Sequence, residues 1–133
     1  MRRRTAGIAA AALVVALSTA ASAQLAELKK TTPQQRATVL TKLMEKKLGL
    51  TGNELQQVAA VNLEYANKAQ PILDGADRPL EELREMKQLN TEKEAALKKV
   101  LTPAHFQQYL AAKDELRQRF EQEIMKGPAG TSQ

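Results

Sequence analysis

The sequence predicts an all-α protein of about four helices, and three observations carry that expectation. Apolar residues recur at spacings of three and four along most of the chain. Strand-like alternation is missing and β-branched residues are few. Three phrases led by threonine, "TPQQ" at Thr32, "TGNE" at Thr51 and "TPAH" at Thr102, stand where helices should begin. With no cysteine and aromatic residues at 3% of a 133-residue chain, neither disulfides nor bulky rings support a core, so helix packing or association must hold the fold together.

The opening stretch MRRRTAGIAAAALVVALSTAASAQ reads as a secretory signal peptide. Arg2, Arg3 and Arg4 form its cationic patch, Ala6 to Leu17 its apolar run, and Ala21-Ser22-Ala23 the small-residue site, so cleavage is expected between Ala23 and Gln24. The run of about 12 apolar residues falls short of the roughly 20 that a bilayer span needs. Residues 1–23 are therefore read as leader, 24–32 as a lead-in, 33–126 as one helical domain and 127–133 as a flexible tail. Export places the mature chain in the periplasm, without stable membrane insertion after cleavage. The net charge of +5 falls to about +2 once the three leader arginines are gone, and the remaining lysines and arginines are interspersed with glutamates. That pattern argues against a nucleic-acid partner.

The first helix is expected from Pro33, with Thr32 as cap, Gln35 closing a capping box and proline at the first helical position. Ala37, Leu40, Met44 and Leu48 form its apolar seam, and Gly49 ends it. The second is expected to start at "TGNE", capped by Thr51 with Glu54 closing the box. Leu55, Val58, Asn62, Tyr65, Ala69 and Ile72 make its seam, and Pro71 should kink or end it. The third runs from Pro79 to Leu101, with Asp77 as cap, Glu81, Glu82 and Glu85 at the positive end of its dipole, and a polar middle, "NTEKE". The fourth runs from Pro103 to about Met125, with Phe106, Tyr109, Leu116, Phe120 and Ile124 on one side. A long helical hairpin, helix two against helix three or four, with helix one folded across it, satisfies these seams.

One phrase is written twice. "LTGNELQQV" at Leu50 to Val58 returns as "LTPAHFQQY" at Leu101 to Tyr109. In each copy a leucine closes one helix and a threonine caps the next, so the repeat marks two matching corners at separate points of the hairpin, built by Leu50, Thr51 and Glu54 and by Leu101, Thr102, Pro103 and His105.

The residue inventory speaks against catalysis. After the leader the chain holds one histidine, His105, one serine, Ser132, and no cysteine, which cannot assemble a nucleophilic triad. Asp74, Asp77, Glu81, Glu82 and Glu85 read as a solvated helix face, and glycine-rich phosphate loops are missing, so no cofactor is expected. His105 with Met44, Met86 and Met125 is too few ligands, too far apart in sequence, for a zinc or copper site. Leu43, Met44, Leu83 and Met86, bordered by Lys42, Lys46, Lys47 and Lys87, form instead a candidate adaptable apolar surface.

The leader, the helical composition without cysteine and the doubled phrase resemble the LTxxQ family of periplasmic proteins, the group that includes Spy and CpxP, over roughly Arg36 to Glu121. Glu54 and His105 stand where that family writes glutamine. The resemblance implies a homodimeric, cradle-shaped helical protein that binds unfolded exported proteins without ATP, or that damps an envelope-stress sensor. A metal-responsive periplasmic sensor or binding protein, and a regulatory partner of a membrane stress sensor, are the alternative functions.

Overall fold

The computed structural model describes residues 27–75 and 79–126, and among them there is no strand. After a helical turn at 27–29 come four long helices, α1 (Pro33–Leu48), α2 (Gly52–Asp74), α3 (Pro79–Val100) and α4 (Pro103–Met125). The expected leader with its Ala23/Gln24 cleavage site, the Asp77 cap and the tail 127–133 lie outside the described residues.

Local chemistry sets most boundaries. Thr32 Oγ1 accepts the Gln35 N–H at 3.1 Å while Gln35 Oε1 accepts the Thr32 N–H at 2.9 Å, so the expected capping box is complete. Gly49, at φ 69°, ends α1 in the left-handed conformation that side chains disfavour. Gly52 begins α2 at φ 55°, so two left-handed glycines flank Leu50 and Thr51 and reverse the chain within three residues. A Cβ at either glycine would meet nothing within 4 Å, so glycine is required there by conformation alone. Pro71 sits in the last turn of α2, which ends three residues later at Asp74.

Arg36 pairs with Ala66 and Gln70, while Thr41 and Met44 meet Asn62, so α1 and α2 run antiparallel. α3 packs along α2, α4 packs against α1, and α3 and α4 scarcely touch. The core joins Met44 and Leu48 of α1, Val58 and Val61 of α2, Leu97 of α3, and Ala112 and Leu116 of α4. Leu50 and Leu101, the leucines of the two corners, belong to the same cluster at 2% and 5% exposure. Each corner thus contributes a buried anchor as well as a change of direction.

Arg36 is a buried cation with neutral partners. Its guanidinium donates to the carbonyls of Thr31, Leu28 and Ala66 and to Oε1 of Gln70, the shortest at 2.7 Å. Burial pushes its pKa down, and the Asp74 carboxylate opposes that shift. Its fork of donors ties the lead-in to both α1 and α2.

Candidate functional site

The two copies of the repeated phrase meet in space. Thr102 caps α4 as expected, its Oγ1 accepting the His105 N–H at 3.2 Å, because Pro103 at the first helical position presets the backbone for that bond. Thr51 occupies the corresponding place on α2 but makes no side-chain cap, which corrects the expectation of two equivalent corners. The cause is Gly52: at φ 55° it departs from the φ that proline imposes at the matching position of α4.

Glu54 does not close a box with Thr51. Its Oε2 accepts the backbone N–H of Thr102 at 2.9 Å, 48 residues away in sequence. Its Oε1 lies 2.7 Å from Nδ1 of His105. An ionised carboxylate only accepts, so Nδ1 carries the proton in this contact. The side chain that would cap its own helix instead caps α4, and the corners are one linked structure rather than separate points. Both side chains are partly buried, with 17% of Glu54 and 26% of His105 still exposed. Burial alone would raise the Glu54 pKa, but the bonds from the Thr102 amide and from His105 outweigh it and hold the carboxyl below its usual range.

The proposed apolar surface divides. Met44 is fully buried, with its sulfur 3.6 Å from the Asn62 amide nitrogen, and is a core residue rather than a contact surface. The helical period explains this, since Met44 lies on the stripe of Ala37, Leu40 and Leu48 that faces α2. Leu43 is half-buried against the core, Met86 is half-buried, and Leu83 is exposed. Leu80, which sequence reasoning passed over, is 80% exposed, and Met125 is 46% exposed.

Where α3 and α4 part, a groove of about 470 Å³ opens among the helices. Tyr65 and Leu73 of α2, Leu89 and Lys93 of α3, and Leu116 and Phe120 of α4 line it. Lys93 was hidden in the polar middle of the third helix, yet it is seven residues after Met86 and four before Leu97, on the apolar stripe. Burial pushes its ammonium down to about 8. Tyr109, lining the same groove, is pushed up to about 12 by burial and by the Glu94 carboxylate.

Among the described residues, no group of three or more His, Cys, Asp or Glu side chains converges as a metal site would require. None of the described helices is long and apolar enough to cross a membrane.

A family model described as Domain of unknown function (DUF4890) matches residues 20–109, a span that includes both corners. No curated protein and no solved structure matches the chain.

Proposed function

The chain belongs to this family of unknown function, and from that footing we propose that it is a periplasmic, ATP-independent chaperone-like stress protein that holds unfolded exported clients. The observation that carries the reading is a set of large apolar side chains left on the surface: Leu80 and Leu83 are 80% and 54% exposed and Met125 is 46% exposed. Unbranched methionines and leucines adapt to many partners at modest affinity, and the lysines and glutamates around them keep a complex soluble. The export signal read from Arg2 to Ala23 supports a compartment without ATP, and the sparse catalytic inventory supports a binder rather than an enzyme.

The likeness to the LTxxQ family belongs to the same proposal. Its support is the meeting of the two departures from that phrase: Glu54 and His105 replace two neutral amides and touch each other at 2.7 Å. An acid and a base facing one another preserve a hydrogen-bonded pair that two glutamines would make without charge. A helical hairpin that dimerises into a cradle through its apolar face completes the reading.

The test is light scattering from a chemically denatured client with near-stoichiometric protein isolated from cells, alongside sedimentation analysis. Suppressed scattering, weakened by Leu83→Glu or Leu80→Glu with the melting temperature unchanged, is the expected result. A strictly monomeric protein that leaves aggregation untouched would overturn the proposal.

A further inference from the structure

We propose that the groove among α2, α3 and α4 binds a long-chain fatty acid, its carboxylate on Lys93 Nζ and its acyl chain against Leu89, Leu116 and Phe120. This goes beyond the holding of unfolded clients and does not depend on it.

Four cations line the groove, Arg36, Lys93, Lys113 and Arg117, against three carboxylates, Glu94, Asp114 and Glu121. Lys113 pairs with Glu94 at 3.1 Å, Arg117 lies 3.9 Å from Asp114, and Glu121 has a partner. Arg36 is closed off by carbonyls and Gln70. Lys93 is the cation left over: among the described residues its ammonium has neither a hydrogen bond nor an ion pair. An unpaired ammonium on an apolar stripe is costly, and one anion in the groove would offset that cost.

The rest of the wall says what that anion carries. Apolar side chains dominate the lining, and its other charged groups are already engaged. Among the described residues, the buried side-chain acceptor without a partner, Oδ1 of Asn62, is shut inside the core at 1% residue exposure. A peptide laid here would desolvate an amide at every residue and find few partners for them. A fatty acid has a single polar end and needs a single partner. Met86 lies about 10 Å along the α3 axis from Lys93 at 1.5 Å per residue, which gives the acyl chain an apolar run toward the end where Met125 lines the groove. The volume of about 470 Å³ falls inside the range of roughly 300–1,000 Å³ usual for small-molecule sites.

The experiment titrates palmitate, kept below its aggregation threshold, into the protein isolated from cells, with hexadecanol as the uncharged control. Saturable one-to-one binding of palmitate is expected. Lys93→Met should weaken it about tenfold or more, Lys93→Arg should retain it, and hexadecanol should bind both forms alike. Carboxyl-¹³C palmitate and ¹⁵N-lysine resonances in the unmutated protein should shift together, which tests the contact even if a variant folds poorly. Absence of saturable binding, equal binding by the Lys93→Met protein, or capture of an apolar peptide with a free C-terminus in place of palmitate would each overturn the proposal. Client holding is read separately by scattering, so failure of one does not obscure the other.

Discussion

Replacing Glu54 by alanine removes the carboxylate that bonds the two corners together. It takes an acceptor from the Thr102 N–H at 2.9 Å and from His105 Nδ1 at 2.7 Å. A hydrogen bond to a charged group is worth about 1.5–3 kcal/mol and a lost N-cap about 0.5–2 kcal/mol. Partial exposure of Glu54 at 17% reduces these, and Thr102 Oγ1 still satisfies one α4 amide. The net loss should be about 2 kcal/mol, or roughly 10 °C in melting temperature for a domain near 100 residues. Urea unfolding at pH 7 measures it, and a cycle with His105→Ala should yield a coupling of about 1 kcal/mol. The pH dependence follows from the lowered carboxyl. With its folded value below the ordinary 4.5, Glu54 stabilises the fold above that ordinary value and loses this contribution as pH falls through the folded one. The gap between the two proteins should therefore close in acid. A Glu54→Ala protein as stable as the original at pH 7, or a gap that widens in acid, would refute the cross-corner cap.

Thr102→Ala should cost about 1 kcal/mol, and Thr51→Ala should cost nearly nothing in the same urea melts, since only Thr102 caps its helix. Met44→Ala, opening a cavity at a fully buried site, should cost about 2–5 kcal/mol and act on client holding only through the fold. Lys93, lowered from 10.5 to about 8, leaves the unfolded chain binding the extra proton between those values. Stability relative to Lys93→Met should therefore rise with pH across that window; Tyr109 titrates in both proteins and cancels.

Local punctuation made the helices legible. Thr32, Pro33, Gly49, Pro79 and Pro103 act on their own few residues, and each lies at the boundary expected of it. The apolar period placed Val58 and Leu116 in the core for the same reason, because a helical stripe is a property of neighbours. Glu54 had no such local signal. Its alternative partner is 48 residues away, and only the packing of the corners decides between capping its own helix and capping another. Thr51 failed as a cap through one backbone angle, that of Gly52, which the letter glycine permits but does not dictate. Lys93 was missed because a lysine inside "NTEKE" looks solvated until its register with Met86 and Leu97 is counted.

The scarcity of contact between α3 and α4 sets an order of events on heating. α1 rests on two neighbours, α2 and α4, whereas α3 has a broad interface only with α2. Detaching α3 or α4 breaks one broad interface and detaching α1 or α2 breaks two, so partial unfolding should begin at α3 and α4 and reach α1 and α2 last. Amide exchange would then rank α3 near Leu83 well ahead of α1 near Met44. Heating would therefore loosen α3 and α4 before the rest and bare the apolar walls that face each other where they part, a thermal response set by packing alone.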